Sequence, residues 1–278
     1  MTALPDLMIE PIVRSALLED LGRAGDLTAQ AVIPAEARFA AVFRAREAGV
    51  VAGIDGARLA MTLMGARFET ILPDASPIKP GDLIARVEGP AAAVLAGERV
   101  ALNLLCHLSG VASQTAKYVA AVAGTGARIS ETRKTMPGLR GLQKHAVKCG
   151  GGFNHRFGLD DAILIKDNHI AICGGVGQAL ERAKAAAGHL VKVEVEVDSL
   201  DQLREALPYA PDVVLLDNFA LDDLRQAVAL AKGRTVLEAS GGVNLTTVRA
   251  IAETGVDVIS IGALTHSVPN FDIGLDAG

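Results

Sequence analysis

The sequence predicts an α/β protein with an N-terminal α+β domain to about residue 108 and a parallel β/α barrel from about 109 to 265. Three observations lead to this fold class. From residue 191 onward, strand-like apolar runs alternate with helix-like segments, and strand starts recur about every 21–24 residues. Residues 38–90 instead combine short extended runs, turn residues and one helical segment. The chain has 278 residues, half of them apolar, which is enough for two compact domains.

The elements of the first domain follow from apolar periodicity and from turn residues. Apolar positions that recur every three to four residues predict helices, and runs bounded by glycine or proline predict extended chain. The predicted elements are, in order, a helix at 11–22, a turn at 25–28, extended chain within 38–53, a helix at 53–66, a hairpin-like turn at 80–82 and one or two helices within 97–124.

The barrel elements are strands that each precede a turn or a helix-like segment. They are predicted at 127–134, 162–166, 191–197, 212–218, 235–240 and 257–262. These make about six β/α units, fewer than the eight of a complete barrel. Asn244 is predicted to cap the helix that follows the fifth strand. The tail at 266–278 leaves open a return to the first domain.

Composition restricts the classes of partner. The formal net charge of -5 argues against a nucleic-acid-binding protein, which needs a basic face. Cys106, Cys149 and Cys173 form no CxxC pair, so neither a disulfide framework nor a structural zinc site is expected, and a reducing cytoplasm fits best. The N-terminus lacks the apolar run of a signal peptide, and no stretch approaches the roughly 20 apolar residues of a membrane span.

One segment departs from this acidic balance. Residues 131–169 hold seven lysines and arginines against four acids. The seven are Arg133, Lys134, Arg140, Lys144, Lys148, Arg156 and Lys166. Arginine binds carboxylates through two hydrogen bonds, and lysine acts as a point charge. A local cluster of cations in an acidic chain therefore predicts a small anionic ligand.

Residues able to bind or catalyse fall at the predicted strand ends, where β/α barrels carry their active sites. Glycine turns present backbone N–H groups to phosphate oxygens, and a following helix adds its positive end. Two carboxylates suit a Mg²⁺ ion that is held partly through substrate oxygens. The strand ends therefore predict a substrate pair rich in carboxylate and phosphate. The residues concerned are Arg133, Lys134, Lys166, Glu196, Asp217, Ser240-Gly241-Gly242 and Gly262.

The two acids have simpler interpretations that stay open. Glu194 and Glu196 alternate in one strand, so one of them is expected to point outward. Glu196 is favoured as the inward one because it lies nearer the strand end. Asp217, which precedes Asn218, also fits the cap of a turn.

The lysine and the histidines also have alternatives. Lys166 fits an ion pair with Asp167 or with an acid of the next loop, or the Schiff-base lysine of an aldolase-like barrel. His155 and His169, taken singly, are more often structural than catalytic. The three glycines at 150–152 are consistent with a flexible loop.

Longer motifs run through the whole chain in a fixed order. In the basic segment they are TRKTMPGLR (132–140), KHAV (144–147), GGGFNHRFGL (150–159) and LIKDNH (164–169). Elsewhere they are LEDL (18–21), GDLT (25–28), ERVALN (98–103), LSGVA (108–112), EVE (194–196), LLDN (215–218), SGG (240–242) and GALTH (262–266). This set strongly resembles the quinolinate phosphoribosyltransferase family, also called nicotinate-nucleotide pyrophosphorylases (carboxylating). Met136 and His145 depart from the residues usual at their positions.

The resemblance implies a fold and an activity. The fold would be an N-terminal α/β sandwich domain with an incomplete parallel α/β barrel, as in type II phosphoribosyltransferases, usually in a homodimer with active sites at the subunit interface. The reaction would join quinolinate to phosphoribosyl pyrophosphate with Mg²⁺. It would release pyrophosphate and CO₂ and give nicotinate mononucleotide, a precursor of NAD.

The resemblance also implies roles for single residues. A quinolinate pocket would consist of Thr132, Arg133, Lys134, Arg156 and Lys166, with His155 nearby. Arg99 would reach the site of the partner subunit. Glu196 and Asp217 would face the ribose hydroxyls and Mg²⁺ and, with Lys134, would be catalytic. The 5′-phosphate would be held by Ser240, Gly241, Gly242, Ile261, Gly262 and Ala263.

Three rival functions remain open from the sequence. A paralogue of the same fold from molybdenum-transport operons would take another acceptor, but it is expected to lack the NHR and IKDNH motifs at 154–156 and 165–169. A class I aldolase would use Lys166 and would leave Arg99, Arg133 and Arg156 unexplained. A non-catalytic phosphate or nucleotide sensor would bind phosphoribosyl pyrophosphate without consuming it.

Overall fold

The computed structural model of the chain describes residues 3–231 and 233–278. These residues form two compact units. The first contains the chain up to residue 116 together with 135–151 and 264–278, and the second contains 117–134 and 152–263. The boundary expected near residue 108 lies inside one continuous helix, Ala91–Ala121, which decides between the one or two helices predicted there.

The helices and strands alternate along most of the chain. The first half contains α1 (Asp6–Leu21), α2 (Leu27–Val32), β1 (Arg38–Ala45), β2 (Gly49–Val50), α3 (Ile54–Leu63), β3 (Arg67–Thr70), β4 (Pro77–Ile78), β5 (Leu83–Pro90) and α4 (Ala91–Ala121). The second half contains β6 (Arg128–Ser130), α5 (Arg140–Cys149), β7 (Ile163–Ile165), α6 (Asp167–Cys173), α7 (Val176–Ala186), β8 (Val193–Val197), α8 (Leu200–Ala206), a 3-10 turn (Leu207–Tyr209), β9 (Val213–Asp217), α9 (Leu221–Ala231), β10 (Val236–Ser240), α10 (Val248–Ala252), β11 (Val258–Ser260), α11 (Ala263–His266) and β12 (Ile273–Ala277).

The first unit is built on a four-stranded antiparallel sheet in the order β12-β1-β5-β3. Strand β12 comes from the C-terminal tail and pairs with β1 from Ala41↔Ala277 to Ala45↔Ile273. The tail therefore does return to the N-terminal strands. The turn at 80–82 joins β4 to β5, but β4 pairs with β2 and β5 pairs with β1 and β3, so the hairpin-like pairing expected there is wrong.

The core of the first unit explains why residues 135–151 belong to it. Phe43 is fully buried, and its ring centroid lies 5.6 Å from that of Phe68. Helix α5 adds Leu142 and Ala146 to the same apolar cluster. Burial of this apolar face fixes α5 to the first unit, although barrel segments flank it in the sequence. The sequence interpretation did not include α5.

The second unit contains six parallel strands in the order β6-β11-β10-β9-β8-β7. Six was the number predicted, and the sheet starts at β6 and ends at β7, as in an incomplete barrel. The predicted fold class is therefore confirmed. Asn244 Oδ1 accepts the backbone N–H groups of Thr246 and Thr247, as expected of a cap, but regular helix begins only at Val248.

Helix α4 is longer and more apolar than the sequence analysis expected of any segment in the chain. By length and composition, this 31-residue helix could cross a bilayer, although no such stretch was expected from the sequence. In its apolar 18-residue segment, 56% of the residues are buried inside the protein. Core helices of globular proteins have the same properties.

Replacing Phe43 with alanine is expected to destabilise the first unit by about 3–5 kcal/mol, because the change removes a buried aromatic ring and leaves a cavity. Leu18, which is 68% exposed on α1, provides the control, and Leu18→Ala should change stability by less than about 0.5 kcal/mol. Urea and thermal unfolding of both variants would measure the difference. Equal stability of the two variants would contradict this account of the core.

Candidate active site

A cavity of about 410 Å³ lies at the carboxyl ends of the parallel strands in the second unit. Its lining residues are Thr132, Arg133, Lys134, His155, Arg156, Leu164, Lys166, Glu196, Leu215, Asp217, Glu238, Ser240 and Ser260. A larger cavity of about 530 Å³ lies at the amino ends of strands of the same sheet, but it lacks such a set of cations and acids. Volume alone therefore does not identify the site.

The cavity brings together most of the residues that the sequence analysis singled out. Nine of them line it, namely Thr132, Arg133, Lys134, His155, Arg156, Lys166, Glu196, Asp217 and Ser240. The other six are outside this lining. Gly241 and Gly242 directly follow Ser240, and residues 261–263 directly follow Ser260. Arg99 lies on α4 in the first unit.

The period of a β-strand explains which acids face the barrel interior. Side chains two residues apart point to the same face of a strand, so Glu194 and Glu196 share one face of β8. Glu196 lines the cavity, and Glu194 is buried with 7% exposure. The expectation that one of the pair points outward was therefore wrong.

His155 is held by three buried acids. Its backbone N–H donates to Glu131 Oε1 at 3.1 Å, and its Nε2 lies 3.4 Å from Glu194 Oε2 and 3.5 Å from Glu238 Oε1. The N–H of Arg156 donates to His155 Nδ1 at 2.8 Å. Because Nδ1 accepts this bond, the ring carries a proton on Nε2, the atom that faces the two carboxylates.

The charges of this buried cluster shift the pKa values of its members. Burial, followed by the charge of Glu194, raises the pKa of Glu238 to about 7. Burial also lowers the pKa of Arg156, and Arg133 lowers it further, whereas Glu194 and Asp161 oppose that change. Among residues 3–231 and 233–278, Oε1 of Glu194 is a buried oxygen without a hydrogen-bond partner.

Lys166 and Glu196 form an ion pair between neighbouring strands. Lys166 Nζ lies 2.5 Å from Glu196 Oε2 on strand β8, so the ion-pair partner is neither Asp167 nor an acid of the next loop. His169 Nδ1 accepts the backbone N–H of Lys166 at 2.9 Å, which gives His169 a structural role at the start of α6. Asp217 accepts a hydrogen bond from Asn218 Nδ2 at 2.8 Å while it lines the cavity, so its turn contact and its place in the site coexist.

The turn after β10 has backbone angles and a close contact that favour glycine over other residues. Gly241 has φ +96°, and a Cβ atom there would lie 2.1 Å from Asn218 Oδ1. Gly242 has φ +60°. The helices that follow this turn and the next, α10 and α11, have only five and four residues, so a helix dipole adds less here than the sequence suggested. Backbone N–H groups are the main anion donors of such turns.

Two sets of side chains in the second unit could hold a metal ion. Glu196 and Asp217 offer carboxylate oxygens at the cavity wall, the donors that Mg²⁺ prefers. His155, Glu194 and Glu238 form a deeper group whose donor atoms lie within 4.8 Å of one another. The first set fits an ion held jointly with a substrate, because substrate oxygens can reach the cavity wall.

The basic segment is divided between the two units. Arg133, Lys134, Arg156 and Lys166 line the cavity, whereas Arg140, Lys144 and Lys148 lie on α5 in the first unit. The predicted anion site thus uses four of the seven cations. Arg140 instead donates through Nε to Thr135 Oγ1 at 2.9 Å.

The sequence interpretation missed the acids beneath the cations. Glu131 and Glu238 were assigned no role, and Glu194 was favoured as the acid that points outward. The available signal was an acid at an inward position of an otherwise apolar strand, as Glu238 is in the run TVLEAS. Leu164, Leu215 and Ser260 also line the cavity without having been predicted.

Family comparisons cover almost the whole chain. The model for the quinolinate phosphoribosyl transferase N-terminal domain matches residues 26–109, and that for the C-terminal domain matches residues 111–276. A probable nicotinate-nucleotide pyrophosphorylase [carboxylating] from Bacillus subtilis is 43% identical and covers 97% of this chain and 93% of its own. The nicotinate-nucleotide pyrophosphorylase [carboxylating] of Mycobacterium leprae is 46% identical, with 95% of each chain covered.

Solved structures give the same result. The crystal structure of NadC from Streptococcus pyogenes aligns with a TM-score of 0.95 at 38% identity, over 100% of this chain and 98% of that one. Similarity at this level extends to both units, each of which therefore has the fold of its counterpart in that protein.

Replacing Glu238 with glutamine is expected to remove a pH dependence of stability. Between pH 4.5 and about 7, the unfolded chain has released the Glu238 proton while the folded protein keeps it. The wild type should therefore lose stability as the pH rises through this window, by on the order of 1–3 kcal/mol. The variant should lack this loss, and thermal unfolding from pH 5 to 8 would measure the difference.

Glu181, an exposed acid on α7, provides the matched control. Glu181→Gln should follow the wild type at every pH. A constant difference in melting temperature between Glu238→Gln and the wild type across the range would contradict a raised pKa at Glu238.

Proposed function

Because the chain belongs to the quinolinate phosphoribosyltransferase family, we infer that it transfers the phosphoribosyl group of phosphoribosyl pyrophosphate to quinolinate with decarboxylation. The products are nicotinate mononucleotide, pyrophosphate and CO₂, so the enzyme is a pentosyltransferase of NAD biosynthesis. The observation that carries this function is the convergence of four cations, Arg133, Lys134, Arg156 and Lys166, in one cavity opposite Glu196 and Asp217.

The cations suit the acceptor, which has two carboxylates on one pyridine ring. Arg133 and Arg156 can each bind a carboxylate through two hydrogen bonds, and Lys166 supplies a point charge. His155, with its Nε2 turned to Glu194 and Glu238, forms part of the pocket wall. A monocarboxylate would leave part of this positive charge without a partner, which favours quinolinate over nicotinate.

The opposite part of the cavity suits the phosphoribosyl donor. Glu196 and Asp217 can accept hydrogen bonds from ribose hydroxyls. Backbone N–H groups of the turns at 240–242 and 261–263 would bind the 5′-phosphate. The positive φ of Gly241 and Gly242 supports this role, because such turns present successive N–H groups to an anion.

The reaction then needs orientation and charge stabilisation more than proton transfer. The pyridine nitrogen attacks the anomeric carbon as the bond to pyrophosphate breaks, through an oxocarbenium-like transition state. When the carboxylate beside the ring nitrogen departs as CO₂, its bonding electron pair stays on the ring carbon, where the adjacent cationic nitrogen stabilises it. A proton then binds that carbon. Lys134 is suited to stabilise the leaving pyrophosphate, and the arginines hold the acceptor in line.

We assign Mg²⁺ as the cofactor, held by Glu196 and Asp217 together with substrate oxygens. The ion would supply Lewis-acid stabilisation of the leaving group. Oxygen donors at the wall of the cavity support this assignment.

We also propose that the enzyme is a cytoplasmic homodimer in which Arg99 enters the site of the partner subunit. Arg99 lies on α4, outside the unit that contains the cavity, and the motif ERVALN around it belongs to the family resemblance. The cysteine usage supports the cytoplasmic location, since Cys106, Cys149 and Cys173 are free cysteines and form no CxxC pair. No nucleic acid or membrane partner is proposed.

The rival functions differ from this one in observable products. The family match and the NHR and IKDNH motifs favour the quinolinate enzyme over the molybdenum-operon paralogue. A sensor would bind phosphoribosyl pyrophosphate without turnover. An aldolase would form a Schiff base at Lys166, which the ion pair between Lys166 and Glu196 disfavours, because the Lys166 amine already contacts the Glu196 carboxylate.

Purified protein given quinolinate, phosphoribosyl pyrophosphate and Mg²⁺ should release CO₂ and nicotinate mononucleotide in equal amounts. Chelation of Mg²⁺ should stop both products, and nicotinate in place of quinolinate should yield almost none. Arg133→Ala should lower kcat/KM for quinolinate by on the order of 10²–10³-fold, because it removes a charged partner inside the pocket. Arg225→Ala, on the exposed face of α9, is the control. Binding of phosphoribosyl pyrophosphate without turnover would sink the proposed activity.

The shared site can be tested by mixing two inactive variants. Arg99→Ala removes the residue proposed to serve the partner's site, and Lys134→Ala disables the cavity of its own chain. Hybrid dimers should contain one site with both residues intact, so the mixture should recover up to about a quarter of the wild-type activity if random exchange gives half of the dimers as hybrids, each with one working site of two. Verified subunit exchange without recovery would contradict the shared site.

A further inference from the structure

A second cluster of metal-ligating side chains lies in the first unit, which contains none of the cavity-lining residues. Asp74, His145 and Cys149 each offer one donor atom, and the three atoms lie within 4.8 Å of one another. His145 and Cys149 are four residues apart on α5, so they share one face of that helix. Asp74 comes from the segment between β3 and β4.

The cluster is buried and its carboxylate is fixed at both oxygens. Asp74 Oδ2 lies 2.9 Å from His145 Nε2, and these side chains are 14% and 10% exposed. Asp74 Oδ1 accepts the backbone N–H of Ile54 at 3.0 Å. Cys149 is 6% exposed.

The backbone beside Asp74 is strained. Ala75 has φ +70°, in the left-handed region that a residue with a Cβ seldom adopts. Its N–H donates to the carbonyl of Val51 at 2.8 Å, which holds it in this conformation. Strain of this kind persists where the surrounding structure fixes a position.

The types of donor restrict what the cluster can do. A cysteine nucleophile is excluded, because Cys149 is buried and its sulfur is inaccessible to a substrate. One sulfur, one imidazole nitrogen and one carboxylate oxygen form a mixed set that suits Zn²⁺, whereas Mg²⁺ prefers oxygen alone. A thiolate and a carboxylate also neutralise the two charges of the ion, which permits its burial.

We propose that Asp74, His145 and Cys149 bind a zinc ion that fastens helix α5 to the segment between β3 and β4. Three protein ligands leave one tetrahedral position for a water molecule. The site is independent of the proposed enzymatic function. It replaces the expectation that the cysteines form no zinc site, which rested on sequence spacing alone. Asp74 and His145 are 71 residues apart, a separation that no short ligand motif contains.

Cobalt(II) is a suitable probe, because it replaces zinc and its bond to thiolate gives a charge-transfer absorption in the near ultraviolet. The full chain, stripped with a chelator, should develop this absorption on titration with Co²⁺ and reach saturation at one equivalent per chain. Zn²⁺ should abolish the absorption, and Mg²⁺ in excess should leave it unchanged. The deeper group of His155, Glu194 and Glu238 contains no sulfur, so it cannot give this signal.

The three cysteines provide matched variants. Cys149→Ser should remove the thiolate absorption, and His145→Gln should weaken Co²⁺ binding by at least about tenfold. Cys106→Ser and Cys173→Ser should keep both the absorption and the affinity. An absorption that survives in Cys149→Ser, or its absence in the wild type, would overturn the proposal.

Thermal unfolding gives a second readout that does not depend on cobalt. Zn²⁺ at about one hundred times its Kd should raise the melting temperature of the wild type by roughly 5–10 °C. Cys106→Ser should show the same rise. If Cys149→Ser does not fold, His145→Gln takes its place and should show little or no rise. An equal rise in His145→Gln and the wild type would count against the site.

Discussion

Compensation of buried charge is the constraint on which the barrel unit depends. Arg133 and Arg156 enter the cavity at the ends of parallel strands, where burial lowers the pKa of Arg156. Isolated buried charge is costly, so the cations need acids close by. Glu194 supplies such a charge from the strand beneath and favours the charged form of Arg156, and its Oε2 lies 3.4 Å from the Nε2 atom of His155. The acids thus permit a permanent anion pocket inside an otherwise apolar barrel.

The strand pattern made much of this unit predictable. Apolar runs at regular spacing gave the six strands, and the strand ends gave six of the cavity-lining residues. The family resemblance added Thr132, His155 and Arg156. The face of a strand on which a residue lies was harder to assign from composition. Glu194 and Glu196 were assigned to opposite faces, although residues two apart in a strand point to the same face. The inward position of Glu194 is explained by its contact with the His155 ring and by the nearby charge of Arg156. Both residues are far from Glu194 in the sequence.

The basic segment shows that residues close together in the sequence can belong to different units of the structure. Residues 131–169 look like one anion-binding region, yet the middle of the segment folds as α5 into the core of the first unit. The apolar face of α5 determines this, because Leu142 and Ala146 are buried with the N-terminal elements. The same packing brings His145 and Cys149 to Asp74, a grouping that no motif predicts. Tertiary packing thus places the cations of α5 in the first unit, away from the residues that line the cavity. It also places Cys149 beside Asp74 and His145.

The ion pair between Lys166 and Glu196 links the two halves of the proposed substrate site. Lys166 is assigned to the acceptor and Glu196 to the ribose and metal, yet their charged atoms lie 2.5 Å apart. The Lys166 side chain is 45% exposed, and a pair with such access to water contributes at most about 1 kcal/mol. Two substrates can therefore separate the pair at small cost, because each partner gains an oppositely charged or hydrogen-bonding group. The pair keeps the two charges compensated and oriented, and the arriving anion and ribose replace one weak interaction with several stronger ones.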